Sequence, residues 1–195
     1  HHAQASALLS LAQWIAENTG ATVGYLTEAA NTVGAQWMGA MPAKDGKNAG
    51  QVLAGGMKAV LLLNTEPQWD SALGAAAAQT LAQSEMVITL SPFKANMEFS
   101  DVLLPIAPFT ETSGSFVNAE GLLQSFYAVV KPLAEARPGW KVLRVLGNLL
   151  DIAGFEFQTS QDVLARATNT LAGEVISVPV ALLNNTAAAV SSNIV

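Results

Sequence analysis

Cysteine is absent from this 195-residue sequence, and histidine occurs only at His1 and His2. Without cysteine the chain can form no disulfide and can ligate no iron–sulfur cluster through its own thiolates. Without an interior imidazole or thiolate it cannot assemble a zinc site or a Ser-His-Asp or Cys-His catalytic centre. We therefore expect no metal-binding residue and no catalytic residue of these classes within the chain.

Charge is also scarce, because only 12% of the residues are charged and the formal net charge is -6. No basic face is available to neutralise phosphates or anionic lipid, so we expect neither nucleic-acid binding nor direct membrane insertion. A hydrophobic content of 51% is enough for one domain with its own core. A surface with so little charge fits a module that neighbouring protein partly covers.

The sequence begins without methionine and without a basic, apolar leader. We expect an intracellular protein and a fragment of a larger one. Residues 1–173 are predicted to form one α/β domain and residues 174–195 a C-terminal tail. That tail contains too many polar residues for a membrane-spanning helix.

Short apolar runs alternate with helical patterns along the chain. Strands are predicted at Thr22–Leu26, Ala59–Leu63, Met86–Leu90 and Val102–Leu104, and the continuous apolar run Ala59–Leu63 is typical of a strand covered on both faces. Helices are predicted at Ala5–Thr19 with Gly20 as its stop, Asn48–Ala54, Ser71–Gln83 with Asp70 as its N-cap, Pro138–Gly154 with deep packing, and Gln161–Leu171 with Ser160 as its cap. This order predicts a Rossmann-like, three-layer, doubly wound α/β fold with a mostly parallel sheet.

A β-hairpin excursion is predicted after the strand that ends near Pro105. Gly114 enters it, and Asn118 to Gly121 form its turn. Both Gly114 and Gly121 are expected to serve the backbone geometry, since a positive φ costs glycine little. A phosphate-binding role for them is the weaker alternative.

The stretch SDVLLPIAPFTETSGSFVNAEGLLQ, at residues 100–124, combines these features at fixed offsets. It resembles the molybdopterin oxidoreductase superfamily, which implies a domain like those of formate dehydrogenase and DMSO reductase. Together with TEAANTVGA upstream and VVKPLAEARPGWKVLRVLGNLL downstream, it is most similar to the large iron–sulfur subunit of bacterial respiratory NADH:quinone oxidoreductase, complex I. The resemblance covers roughly Tyr25 to Leu150.

The resemblance implies a structural, cofactor-free domain of an electron-transport subunit that carries electrons from NADH toward quinone. Its 4Fe-4S and 2Fe-2S clusters would lie upstream of these residues. Its partners would be the other subunits of complex I and the N-terminal iron–sulfur region of the same chain. Its location would be the peripheral arm on the cytoplasmic side of the bacterial inner membrane.

Where related enzymes read Gly-x-Asn-Pro beside the pterin dinucleotide, this sequence has Asn64 and Glu66, and Leu122 stands where an arginine is usual. A side chain at the glycine position obstructs close backbone approach, and a carboxylate repels a pyrophosphate. The vestigial pterin-site candidates are Asn64, Glu66, Glu111, Gly114, Asn118, Glu120 and Gly121.

Two alternatives remain open. The chain could be the cofactor-binding lobe of an active molybdopterin oxidoreductase of the formate dehydrogenase or nitrate reductase type. It could also be a small α/β hydrolase that uses Glu111 and Glu120 as an acid-base pair. The simpler interpretation of this pair is that Glu111 accepts backbone amides of its own loop, at Ser113 and Gly114, and that Glu120 is exposed in the hairpin turn.

Overall fold

The computed structural model describes residues 5–24, 26–27 and 29–171. Two short 3₁₀ turns, Ala95–Glu98 and Phe109–Glu111, accompany the regular elements. In chain order these elements are α1 (Ala5–Thr19), α2 (Thr32–Trp37), α3 (Ala49–Leu53), β1 (Ala59–Leu63), α4 (Pro67–Asp70), α5 (Ala75–Leu81), β2 (Met86–Ser91), β3 (Val102–Pro105), β4 (Gly114–Val117), β5 (Leu123–Phe126), α6 (Gly139–Leu149) and α7 (Ser160–Leu171).

A parallel sheet in the order β1-β2-β3 forms the centre of the fold. Ala59 pairs with Met86 at one end, and Ser91 pairs with Pro105 at the other. Proline is tolerated there because it closes an outer strand, where a missing amide breaks no further ladder. The antiparallel hairpin β4-β5 follows, with Val117 opposite Leu123. The predicted α/β class, the parallel sheet and the hairpin are confirmed.

A hydrophobic cluster lies on one face of the sheet, while Leu90 is buried on the other. Val60, Leu62 and Val87 pack in this cluster with side chains from α3 and α5, namely Leu53, Ala77 and Leu81. On the opposite face Leu61 and Leu63 are 43% and 44% exposed. The prediction that β1 is covered on both faces is therefore wrong, because α3 and α5 pack on the same side.

Helix α1 and its stop are confirmed, with Gly20 at φ 70°. Helix α3 is also confirmed, since the Asn48 side chain accepts from the Gln51 amide and the Gln51 side chain accepts from the Asn48 amide. The strand predicted at Thr22–Leu26 is wrong for residues 22–24 and 26, and residue 25 lies outside the described residues. Leu26 is 96% exposed, so no packing holds this run in a sheet.

The helix predicted at Ser71–Gln83 begins only at Ala75. Asp70 is the last residue of α4 rather than an N-cap of α5. Between them Gly74 has φ 55°, a value that breaks a right-handed helix.

Helix α6 is shorter and more exposed than predicted. Pro138 precedes it as the N-cap residue, and the helix ends at Leu149, five residues before Gly154. Leu149 is 76% exposed and Val145 is 47% exposed, so the predicted deep packing is wrong within the described residues. One side of α6 nevertheless contacts the chain, because Gly139 lies against Ile106 and Leu63 and the buried Gly147 lies against the Phe155 ring.

Helix α7 is confirmed, but its cap is Thr159 rather than Ser160. The Thr159 hydroxyl accepts from the Asp162 amide at 3.1 Å, and the Asp162 carboxylate accepts from the Thr159 amide at 2.8 Å. Hydrogen bonds to the carboxylate, first from Thr159 and then from the Gln158 amide, lower the pKa of Asp162. The predicted tail at residues 174–195 lies outside the described residues. Within the described chain, no helix combines the length and apolarity that crossing a bilayer requires.

Candidate functional site

The carboxyl end of β1 is the first candidate site, because ligands of open α/β sheets bind at this edge. Asn64 follows β1 directly and has φ 49°, a left-handed conformation. Its amide donates to Leu90 O at 2.8 Å, which continues the β1-β2 pairing by one residue. A glycine would adopt this φ at lower cost.

Asp70 closes the loop that follows. Its Oδ2 accepts from the Glu66 amide at 2.7 Å and from the Thr65 hydroxyl at 3.1 Å. These two groups are the donors that a phosphate at this strand end would need. The loop therefore satisfies these two donors itself and places a carboxylate at this end of the strand.

Asn96, in the 3₁₀ turn after β2, holds the same loop. This side chain is 1% exposed, and its Nδ2 donates to Thr65 O at 2.9 Å. Its Oδ1 is buried and has no hydrogen-bond partner in the structure. Asn96 thus joins the turn after β2 to the loop after β1.

Asn118 and Gly121 organise the hairpin turn. Asn118 Oδ1 accepts from the amides of Glu120 and Leu122 at 3.0 and 2.9 Å. Gly121 has φ 82°, as predicted. Gly114 does not have a positive φ. This position needs glycine for another reason, because an added Cβ would lie 2.6 Å from Phe126 Cζ. The prediction that Gly114 serves a positive φ is therefore wrong. Glycine is needed there because the Phe126 ring packs against its Cα.

Glu111 and Glu120 are separated by the strand β4, whose length alone is roughly 10 Å. Glu111 Oε2 accepts from the Leu133 amide at 3.0 Å, so it anchors a distant loop rather than the amides of Ser113 and Gly114. Glu120 is exposed in the hairpin turn, as the simpler interpretation predicts. Glu111 is thus held by the loop of Leu133, whereas Glu120 lies exposed in the hairpin turn.

A cavity of about 700 Å³ lies between α2, the hairpin, the start of α6 and α7. Aromatic rings of Trp37, Phe126 and Trp140 line it. Of the sequence-predicted site residues, only Gly114 lines this cavity; Asn64, Glu66, Glu111, Asn118, Glu120 and Gly121 do not. The strand end and the cavity are therefore separate candidate sites.

Asn31 is the cavity residue that the sequence reasoning missed. Its Oδ1 accepts from the Val117 amide at 2.8 Å and ties the hairpin to the start of α2. An added Cβ on Gly34 would lie within 3 Å of the Asn31 side chain, so this helix position also requires glycine. Both residues fall within TEAANTVGA, so the resemblance marked the segment but not the contact.

Comparison with known proteins identifies the family. Residues 1–149 match the family described as molybdopterin oxidoreductase. The chain belongs to this family. Curated relatives include a Staphylococcus aureus protein named as a formate dehydrogenase, 38% identical over 80 residues, or 38% of this chain and 8% of the relative. A Bacillus subtilis protein named as an oxidoreductase, YjgC, is 37% identical over 70 residues, or 36% of this chain and 7% of the relative.

The chain thus spans less than a tenth of the length of these molybdopterin oxidoreductase relatives. This match confirms the predicted resemblance to the molybdopterin oxidoreductase superfamily. Among the described residues, no group of three or more His, Cys, Asp and Glu side chains is arranged to hold a metal ion.

Proposed function

We propose that this chain is a structural, cofactor-free α/β domain of an oxidoreductase subunit. The observation that carries the proposal is the strand end after β1, where Asp70 takes the Glu66 amide and the Thr65 hydroxyl. A pterin dinucleotide is anionic, and a second carboxylate at Glu66 would add repulsion to the lost donors. The residues present do not fit the group that the family name implies.

The hairpin supports the same proposal. Leu122 is 56% exposed at the position where related sequences carry arginine, so the cation that would balance an anion is missing there. Asn118, a second candidate, uses its Oδ1 for the turn itself. Neither candidate region offers the donors or cations that a pyrophosphate requires.

More specifically, we propose that the parent protein is the large iron–sulfur subunit of respiratory NADH:quinone oxidoreductase. Its upstream iron–sulfur clusters would carry electrons from NADH toward quinone in the peripheral arm on the cytoplasmic side. Residues 1–173 would form one domain of that subunit. This assignment rests on the resemblance of residues 25–150 and on the Asp70 carboxylate, which takes the hydrogen-bond donors after β1.

The contacts of this domain with other subunits and with the upstream iron–sulfur region are also proposed. Large apolar side chains are exposed beside the hairpin and on α6, including Val129 at 83%, Leu133 at 78% and Leu149 at 76%. Exposed apolar side chains in this number are consistent with the proposed contacts to other protein.

A second candidate is the cofactor-binding lobe of an active molybdopterin oxidoreductase of the formate dehydrogenase type. The names of the relatives favour this candidate over the assignment to complex I. If this candidate is right, the hydrogen bonds of Asp70 to the Glu66 amide and the Thr65 hydroxyl must break when the cofactor binds. The two candidates therefore predict different cofactor contents for the full-length protein.

Metal and pterin analysis of the full-length protein separates them. We expect stoichiometric iron without stoichiometric molybdenum or tungsten and without a releasable pterin. Stoichiometric molybdenum or tungsten with a bound pterin guanine nucleotide would overturn the proposal and establish the second candidate. For the hydrolase alternative, alanine replacement of both Glu111 and Glu120 without effect on an observed hydrolytic activity would exclude this pair as its acid and base.

A further inference from the structure

The cavity between α2, the hairpin, α6 and α7 has walls that the domain itself holds in place. Asn31 Oδ1 accepts from the Val117 amide and fixes the start of α2 against β4. On the other strand of the hairpin, the Phe126 ring packs edge-on against Phe116, with the ring centroids 5.0 Å apart. These contacts hold two sides of a volume of about 700 Å³, which lies within the size range of small-molecule sites in proteins.

The lining of this cavity carries no charge. Within the described part of the chain, none of the lining residues is Asp, Glu, Lys, Arg or His. A charged occupant would lose its hydration without gaining an ionic partner, and an unpaired charge away from water is costly. The cavity therefore favours an uncharged ligand.

Aromatic rings from three different elements line the cavity, namely Trp37 of α2, Phe126 of β5 and Trp140 of α6. Rings in offset-stacked or edge-to-face contact gain more than their buried area alone provides. An aromatic ligand would add such contacts to the hydrophobic gain of leaving water. The lining thus favours a flat aromatic molecule over an aliphatic one of the same size.

The polar groups of the lining include hydrogen-bond donors that are not used. Asn31 Oδ1 is taken by the Val117 amide, but among the described residues its Nδ2 group has no hydrogen-bond partner. The hydroxyls of Ser115 and Ser125 lie 2.8 Å apart and share one hydrogen, which leaves the other hydroxyl hydrogen free to donate. A ligand that satisfies these donors must carry an acceptor oxygen.

We propose that this cavity is a binding site for an uncharged aromatic molecule that carries an acceptor oxygen, such as an aryl ketone. This class excludes a pterin dinucleotide, because its phosphates would find no cation among the described lining residues. The inference is independent of the proposed function, since it concerns a different site and uses none of the strand-end residues.

Three naphthalene derivatives of similar size test the ligand class on the whole chain. Acetonaphthone is neutral and has a carbonyl, ethylnaphthalene is neutral and has none, and naphthoate is anionic. Each is titrated while the tryptophan indole N–H signals are followed by NMR. We expect acetonaphthone to bind most tightly and naphthoate at least about tenfold more weakly, because its charge finds no partner. Equal affinities for acetonaphthone and naphthoate would overturn the proposal.

The indole signals that shift locate the site. Trp37 and Trp140 line the cavity and should shift on titration with acetonaphthone, whereas Trp14 and Trp69 do not line it and should keep their positions. Trp14 and Trp69 are 50% and 72% exposed, so they report any general binding to apolar surface. Equal shifts of all four signals, or no shift of Trp37 and Trp140, would refute the cavity as the site.

A matched pair of variants on α7 tests the volume of the cavity. Ala167 lines it and Ala165 is exposed outside it. Ala167→Phe should fill part of the cavity and weaken acetonaphthone binding by about tenfold, and Ala165→Phe should leave it unchanged. Circular dichroism verifies that both variants keep their helices. Undiminished binding to a folded Ala167→Phe variant would contradict the proposed site.

A conservative change at Asn31 tests the donor separately. Asn31→Asp keeps an oxygen for the Val117 amide, so the contact between α2 and the hairpin is retained, but the Nδ2 donor is lost. Binding of acetonaphthone should therefore weaken more than binding of ethylnaphthalene. An equal loss for the two probes would show that the carbonyl makes no hydrogen bond with Asn31 and would overturn the assigned ligand class.

Discussion

Gly114 offers the sharpest test of how the hairpin is packed. An added Cβ would lie 2.6 Å from Phe126 Cζ, whereas ordinary contacts of this kind are 3.4–4 Å. The ring would have to move by about 1 Å, and overpacking of this type costs about 1–3 kcal/mol. Phe126 also lines the cavity, so the ring has space on one side, and we expect Gly114→Ala to cost about 1–2 kcal/mol.

Urea unfolding followed by circular dichroism measures this cost. With a slope of about 2 kcal/mol per molar urea, the midpoint should fall by about 0.5–1 M. Gly24→Ala is the matched control, because its added Cβ would meet nothing within 4 Å and its φ is not positive. A change within about 0.5 kcal/mol is expected there.

A double-mutant cycle tests the cause. Phe126 packs edge-on against Phe116, with ring centroids 5.0 Å apart and an interplanar angle of 70°. Phe126→Leu removes this ring, so Gly114→Ala should cost clearly less in that background than in the original chain. An equal cost in both backgrounds would refute ring contact as the reason for glycine and would point to the backbone.

Further predictions concern the strand end and the last helix. Asp70→Ala removes the acceptor for the Glu66 amide. It should lower the free energy of unfolding, measured by thermal unfolding, by about 0.5–2 kcal/mol, the range known for lost helix caps. An unchanged free energy of unfolding would contradict the role assigned to Asp70. Asn64→Gly should be tolerated at φ 49°, whereas Asn64→Val should cost about 1–3 kcal/mol, and equal unfolding free energies for the two variants would contradict this. Hydrogen bonds from Thr159 lower the pKa of Asp162 in the folded state. The Asp162 carboxylate therefore stabilises the fold fully above the ordinary carboxyl pKa of about 3.9, and this stabilisation is lost as the pH falls through the lowered pKa of the folded state. Amide exchange of α7 should show this acid loss, and Asp162→Asn should abolish it.

The central strands could be predicted because their signal is local. The apolar runs at 59–63, 86–90 and 102–104 became β1, β2 and β3, and the turn glycine Gly121 has the expected positive φ. Helix α7 was predicted with nearly correct bounds for the same reason. Its cap was assigned one residue too late, because both Thr159 and Ser160 are good caps and only the hydrogen bonds distinguish them.

The candidate site was less predictable than the strands. The substitutions at Asn64 and Glu66 were visible in the sequence, but the carboxylate that occupies the loop donors belongs to Asp70, which was expected to cap a later helix. A carboxylate can reach any amide within a few residues on either side, so sequence position alone does not select its partner.

The order of the central strands and helices, the hairpin turn and the lack of cysteine and interior histidine chemistry all follow from the amino-acid sequence. Packing in three dimensions was needed to show that α3 and α5 share one face, that Asn31 binds Val117 across 86 residues, and that a cavity opens beside α7. Hydrogen bonds within a turn and the spacing of apolar residues act over a few positions and can be predicted from the chain. Contacts between distant segments depend on how whole elements pack, which no short pattern encodes.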